Sequence, residues 1–205
     1  GWITRAEGLQ RARRILTSLA ERQDNQKFGV YFHYPDAGTG GLSHAGFEIL
    51  ASTVDHALFL AGVITAGQYF GADIASHAEH FVADTNWKAF AVGPGGYLSM
   101  GWRPDDPNNV AGAGRFLDAH WSFASDEERL VYFLAVGAPR DDYALAPEAY
   151  YRLKRVVRRH GDLPPFVASW PGTPFTYIFS HCWIDCRRLE ADDPARFGVS
   201  APRVD

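Results

Sequence analysis

The sequence contains few of the residues that mark disulfide-rich or metal-binding proteins. Only two cysteines occur in 205 residues, Cys182 and Cys186, which excludes a disulfide framework. No second pair follows them, so we expect ordinary buried or half-buried thiols rather than zinc ligands. The Gly-rich stretch 93–96 lacks the Lys-Ser/Thr of a phosphate-binding loop. No metal site and no cofactor are predicted.

Long apolar runs and an excess of positive charge are also missing. No segment approaches the roughly 20 apolar residues of a membrane span, and no secretion signal is visible. The net charge of −4 argues against a protein that binds the nucleic-acid backbone, so no nucleic-acid partner is predicted. The local basic clusters are interpreted as solvated helix faces: Arg11, Arg13, Arg14, Arg155, Arg158 and Arg159.

Aromatic residues are abundant, with six Trp, nine Tyr and fourteen Phe. Most of them must pack in the core, but aromatic rings also suit the flat faces of sugars. Hydrophobic periodicity predicts five helices, with starts signalled by capping residues at Thr4, Ser52 and Ser125 and by Pro147. The predicted helical ranges are 1–21, 52–70, 73–86, 125–136 and 147–160.

The helices alternate between amphipathic and wholly apolar, which is typical of two concentric layers. We therefore predict an all-α fold, part of an (α/α)6 toroid, with a small β-hairpin formed by residues 27–34 and the following turn. The long connections 22–51 and 87–124 then lie at one end, where binding and catalysis concentrate on loops. A plain antiparallel bundle is the alternative layout.

Two carboxylates stand at the N-termini of the apolar helices, Asp55 and Glu127, and Asp126 and Glu128 flank the second. A pair of carboxyl groups is what glycoside hydrolysis requires. The same residues also fit a structural role, because Asp55 follows Ser52 by three positions and Glu128 follows Ser125 by three, as in capping boxes.

Six sequence blocks resemble, in order, motifs of the bacterial glucoamylase-like family. They are residues 1–4 (GWIT), 52–62 (STVDHALFLAG), 98–104 (LSMGWRP), 133–139 (FLAVGAP), 147–150 (PEAY) and 179–185 (FSHCWID). The resemblance spans nearly the whole chain. It implies an (α/α)6 barrel, and activity on glucans, with β-1,2-glucan favoured because known members hydrolyse or transglycosylate it. It also implies a periplasmic or secreted bacterial location.

Carried over by position, Asp55 and Glu127 are the implied catalytic acids. The family has a glutamate five residues before the aspartate, where this chain has Leu50, so nearby Glu48 is a candidate substitute. The tyrosine before the family's second glutamate is replaced by Ser125. Counting forward from Trp121 instead places Asp126 on the catalytic position.

Further residues are candidates for substrate binding. The indoles of Trp102 and Trp121 are interpreted as stacking platforms for sugar rings or as loop packing. His181 and Asp185 are interpreted as hydrogen-bonding partners of the substrate, as residues that orient the catalytic acids, or as part of a loop network.

The sequence thus predicts a glycoside hydrolase-type domain with an oligo- or polysaccharide substrate. The rival functions are a non-catalytic glycan-binding or scaffolding domain with a degenerate site, and a purely structural helical domain. Because twelve helices make a full toroid, residues 1–205 are expected to be a single incomplete domain of a longer product. We expect these residues alone to be unstable, oligomeric or inactive.

Overall fold

The computed structural model describes residues 2–22, 24–43, 48–124, 126–169, 172–185 and 188, without the side chains of residues 126 and 177. The α-helices in this part of the chain are α1 (Arg5–Ala20), α2 (Thr53–Phe70), α3 (Ala72–Asp84), α4 (Asp126–Val136), α5 (Glu148–Tyr151) and α6 (Pro174–Ile178). The described strands are β1 (Gln26–Lys27), β2 (Val30–Tyr31), β3 (Ala51–Ser52), β4 (Leu98–Ser99), β5 (Gly101–Pro104), β6 (Gly114–Phe116), β7 (His120–Trp121), β8 (Val156–Arg158) and β9 (Phe166–Ala168).

The four long helices form at the predicted positions. Helix α1 starts with a complete capping box, in which the Thr4 hydroxyl accepts from the Glu7 amide and the Glu7 carboxylate accepts from the Thr4 amide. Helix α2 ends at Gly71, whose φ of 72° lies in the region that favours glycine. The same residue caps α3, so the chain reverses there almost without a loop.

The packing of the helices is consistent with the predicted layers. Helix α2 packs against both α3 and α4, and α1 lies on α3. Residues Ala57, Leu60 and Val63 of α2 are buried, because its apolar surface meets a neighbour on several sides. This arrangement is consistent with part of a helical toroid. The closed ring of six helix pairs stays a prediction.

The connections contain more strand than the one hairpin expected. Strands β1 and β2 form that hairpin, but the chain reverses at Phe28–Gly29, inside the stretch predicted as one strand. Gly29 has a φ of 81°, and a Cβ there would lie 2.1 Å from the Asp84 carbonyl oxygen. Strands β3, β5 and β6 form an antiparallel sheet, and β4 pairs with β7, so the long loops are tied into small sheets.

The predicted fifth helix is wrong beyond its first turn. Helix α5 spans only Glu148–Tyr151, and the chain then forms the antiparallel pair β8–β9. The β-branched Val156 and Val157 favour a strand, and Gly161, with a φ of 54°, permits the reversal between the two strands. The basic residues of this stretch therefore follow strand β8 and the turn after it rather than a helix face.

Large apolar side chains on α4 and α6 face solvent. The side chains of Phe133, Phe175 and Ile178 are 53%, 56% and 59% exposed. None of the described helices combines the length and the apolar character needed to cross a membrane.

Candidate active site

Two of the predicted carboxylates lie in the first turns of α2 and α4. Asp55 lies in the first turn of α2, Glu127 is the second residue of α4, and the two helices pack against each other. Burial raises the pKa of the half-buried Glu127, and the negative charge of Asp55 raises it further. The two predicted carboxylates therefore lie within electrostatic range of each other.

Asp55 is held by two neighbours on one of its oxygens. The Ser52 hydroxyl donates to Asp55 Oδ2 at 2.5 Å, and His33 Nδ1 lies 3.5 Å from the same oxygen. Ser52 is the N-cap residue of α2, yet its side chain makes no capping hydrogen bond. The capping-box interpretation of Ser52 and Asp55 is therefore wrong, because the serine binds the carboxylate and not the helix backbone.

The start of α2 is fixed to β4, to the residue after it and to β7 through polar contacts that are mostly buried. The Thr53 hydroxyl contacts the carbonyl oxygens of Ser99 and Met100 at 3.2 and 3.0 Å. Trp121 Nε1 donates to the same hydroxyl at 2.8 Å. Tyr132 of α4 donates from its hydroxyl to the Trp121 carbonyl at 3.0 Å, and burial is the main cause that raises the pKa of this tyrosine to about 12. These contacts set the position of α2 relative to α4.

A cavity of about 680 Å³ opens beside this junction. Its size falls within the range usual for small-molecule sites. Glu127 and Glu128 contribute carboxylates to its wall, and the remaining wall is largely aromatic or apolar. The other lining residues are Met100, Ala119, His120, Trp121, Ser122, Phe123, Thr173, Phe175 and Thr176.

The two tryptophans predicted as stacking platforms are both buried. Trp102 is 3% exposed and packs against Phe32, with the Lys27 ammonium 4.3 Å from its ring centre. It therefore offers no open face to a sugar, and the stacking prediction is wrong for Trp102, which packs the loop core. Trp121 is 7% exposed, so only part of its indole borders the cavity.

Glu48 occupies the margin of the site in an ion pair. Its carboxylate pairs with the guanidinium of Arg103 on β5, and both side chains are partly exposed. Its carbonyl oxygen accepts a hydrogen bond from His33 Nε2 at 3.1 Å. His33 thus contacts both the Glu48 backbone and the Asp55 carboxylate, whereas the Glu48 carboxylate is paired with Arg103.

The remaining predicted residues fall around α4. Asp126 begins α4 and its side chain lies outside the described residues, as does Ser125. His181 is half-buried in the short 3₁₀ turn Ser180–Cys182, which packs against α4. The Asp185 carboxylate is 41% exposed and lies 4.0 Å from the Arg188 guanidinium. The Cys182 thiol is exposed rather than buried as expected.

Sequence reasoning missed two histidines at the site, His33 and His120. His33 contacts Asp55 from a segment 22 positions earlier in the chain, and no local pattern signals such a contact. His120 lies on β7 beside Trp121 and lines the cavity. A Cβ on Gly93 would lie 2.3 Å from the His120 ring, so the ring fits only because Gly93 has no side chain.

The chemistry available is that of two carboxyl groups in different surroundings. Glu127 lies partly buried in an apolar wall, which favours its protonated form, whereas Asp55 is half-exposed and accepts a hydrogen bond. A partly buried carboxyl group beside a half-exposed one suits the acid and base roles of such a pair. Among the residues that the structure describes, no group of three or more His, Cys, Asp or Glu could hold a metal ion.

Solved structures of carbohydrate-active proteins share this fold. A β-1,2-glucanase from Parabacteroides distasonis is 25% identical, with a TM-score of 0.57 over 74% of this chain and 21% of that one. An endo-β-1,2-glucanase from Chitinophaga pinensis, solved with sophorotriose and glucose, is 17% identical with a TM-score of 0.60 over 82% and 40%. A candidate glucoamylase from Bacteroides caccae is 20% identical with a TM-score of 0.61 over 85% and 42%.

No protein-family profile and no curated protein sequence matches the chain. The chain spans between 21% and 42% of the length of these three structures. The resemblance drawn from the sequence blocks is confirmed at the level of fold: the chain has a fold related to those of glucoamylase-like proteins and β-1,2-glucanases.

Proposed function

We propose that the chain is part of a glycoside hydrolase domain that cleaves a glucan, with β-1,2-glucan as the favoured substrate. The observation that supports this proposal is the position of Asp55 and Glu127 in the first turns of two helices that pack against each other, with Glu127 in the wall of a cavity. Glycoside hydrolysis uses two carboxyl groups in this way, one protonated and one ionised.

Glu127 is assigned the role of acid. Its pKa is raised by burial and by Asp55, so it retains a proton at a higher pH than an exposed glutamate. In the proposed reaction Glu127 gives this proton to the glycosidic oxygen as the bond to the anomeric carbon breaks. The shortened glucan leaves with a new hydroxyl group.

Asp55 is assigned the ionised role. It removes a proton from the water that attacks the anomeric carbon, if the two carboxyl groups stand about 6.5–9.5 Å apart in the substrate complex. At about 5–5.5 Å it would instead attack the carbon itself and be released by water in a second step. The first route inverts the anomeric centre and the second retains it.

The substrate class is supported by the comparisons and by the cavity. Two of the similar structures are β-1,2-glucanases by name, although the present chain covers less than half of either. The aromatic and apolar cavity wall suits a neutral sugar, and the proposed chemistry requires no cofactor. We further propose that residues 1–205 form one incomplete domain of a periplasmic or secreted bacterial protein.

A non-catalytic glycan-binding domain is the second candidate. The observation in its favour is the ion pair between Glu48 and Arg103. Glu48 is the acid nearest to the family position that Leu50 fills, and its pairing with an arginine favours the ionised carboxylate, which cannot donate a proton. If the reaction needs an acid at that position, the site binds sugar without cleaving it.

The test is glycan cleavage by the protein together with whatever sequence its gene encodes on either side of these residues. Linear β-1,2-glucan, starch and β-1,3-glucan serve as substrates, and product release is measured by chromatography. We expect cleavage of β-1,2-glucan, abolished by Asp55→Asn and by Glu127→Gln while thermal unfolding stays unchanged.

Two carboxylate variants serve as matched controls. Asp73→Asn changes a half-exposed aspartate in the first turn of α3 that pairs with Arg13, and Glu148→Gln changes an exposed glutamate in the first turn of α5. Both should retain full activity. Sugar binding without cleavage by the wild type would favour the binding domain, and cleavage that survives in both site variants would overturn the assignment of Asp55 and Glu127.

A further inference from the structure

The contacts of His33 with Glu48 and Asp55 determine which nitrogen of the His33 ring carries the hydrogen. Its Nε2 lies 3.1 Å from the Glu48 carbonyl oxygen, and a carbonyl can only accept, so Nε2 must carry a hydrogen. In the neutral ring Nδ1 is then an acceptor, although it faces Asp55 Oδ2 at 3.5 Å. The contact becomes attractive when a proton lies between the two, which gives an imidazolium beside a carboxylate.

Only one of the two carboxylate oxygens of Asp55 contacts Ser52 and His33. Both Ser52 and His33 contact Oδ2, and no partner of Oδ1 is found among the residues that the structure describes. The His33 side chain is 15% exposed and that of Asp55 is 50% exposed, so the histidine lies underneath and the carboxylate reaches the surface. A carboxylate held by one oxygen from below presents the other outward.

We propose that His33 is the positioning residue of Asp55, and that with Ser52 it orients the carboxylate so that Oδ1 is the oxygen that acts on the substrate. This inference rests on the proposed function, because it deepens the role of Asp55 there. It assigns a role to a residue that no sequence motif singled out.

The His33 imidazole is surrounded by groups from several elements. Asp55 faces it from α2, and the Glu48 carbonyl faces it from the segment before β3. The Glu48 carboxylate is neutralised by Arg103 of β5, and the Tyr34 ring lies 4.2 Å from the imidazole centre on its own segment. Among the described residues, the Asp55 carboxylate is therefore the charged group in direct contact with the imidazole.

The first test is steady-state kinetics of His33 variants on the glucan that the wild type cleaves. His33→Ala removes both contacts, and His33→Asn keeps an N–H near the place of Nδ1. A carboxylate misplaced by about 1 Å costs about 100-fold in rate, so we expect kcat to fall by about that factor in His33→Ala. The KM should change by less than about threefold, since the lost contact acts on the reacting group and not on substrate binding.

The conservative variant separates positioning from folding. His33→Asn should recover about tenfold of the loss in kcat, because its amide N–H can donate to Asp55 Oδ2. The matched control is His80→Gln, since His80 forms a similar pair with Asp84 at 3.4 Å on the surface of α3. It should leave kcat unchanged. An unchanged kcat in His33→Ala, or a raised KM as its only effect, would overturn the proposal.

A second readout does not depend on activity. Nitrogen chemical shifts of the His33 ring report which nitrogen carries the hydrogen when the ring is neutral. We expect Nε2–H in the wild type and in Asp55→Asn, and Nδ1–H would overturn the proposal. A wild type that cleaves no glucan would instead overturn the proposed function, so the two failures are distinguishable.

Discussion

The buried histidine next to Asp55 should make the protein sensitive to mild acid. His56 is 1% exposed on α2, where the Tyr31 amide donates to Nδ1 at 3.3 Å. Its Nε2 therefore carries the hydrogen and donates to the Thr85 hydroxyl at 2.9 Å, which in turn donates to the Phe81 carbonyl. Both hydrogen bonds of the imidazole are therefore formed by the neutral ring. Burial lowers the pKa of His56 from 6.5 to about 3.

The loss of stability follows from the difference between the folded and unfolded pKa. The unfolded chain binds a proton at His56 near pH 6.5, whereas the folded chain does not bind it until about pH 3. The contribution of His56 to the free energy of unfolding is therefore fully present above about pH 6.5 and decreases as the pH falls. Between pH 7 and pH 5 the loss is about 2 kcal/mol, or a drop of about 4–8 °C in Tm.

The assay is urea unfolding at pH 7 and pH 5 for the wild type and His56→Gln. Glutamine cannot gain a proton, so the variant should be less stable at pH 7 but lose about 2 kcal/mol less than the wild type on going to pH 5. His80→Gln, at an exposed position on α3, should follow the wild type. Equal losses in the wild type and His56→Gln would refute the reasoning.

Three further predictions concern the walls of the site. Trp121→Phe should destabilise the protein by about 1–3 kcal/mol more than Trp87→Phe in urea unfolding, because only the Trp121 indole has a hydrogen-bond partner among the described residues. Asp55→Asn should lower the pKa of Glu127, measured by carbon NMR of its carboxyl group, and an unchanged value would contradict their coupling. Gly93→Ala should raise the KM for glucan and leave helix content unchanged, because the added methyl group would displace the His120 imidazole that lines the cavity. A wild-type KM would show that His120 does not contact the substrate.

The long helices could be predicted because their sequence signals are local and repeated. The Thr4 capping box fixes the start of α1, and Gly71 separates α2 from α3 as expected. The placement of Asp55 and Glu127 at the N-termini of α2 and α4 follows from those helix boundaries. Their proximity follows from the packing of the two helices, which the alternation of apolar and amphipathic segments predicts.

The short strands and the contacts of the loops could not be predicted in this way. Strands of two to four residues are too short for a period to show, and Leu153 and Val157 matched a helical stripe that the structure does not form. The burial of Trp102 and the pairing of His33 with Asp55 depend on segments that are distant in sequence. Such contacts are set by tertiary packing and leave no local pattern.

The most direct test of the account is a double-mutant cycle on glucan cleavage. Initial rates are compared for the wild type, Asp55→Asn, Glu127→Gln and the double variant. If the two carboxyl groups act as one unit, each single change should cost at least about 10³-fold in kcat/KM, and the double change should cost little more than the worse single one. Losses that multiply, or a single variant with near wild-type activity, would contradict the proposal that Asp55 and Glu127 form one catalytic pair.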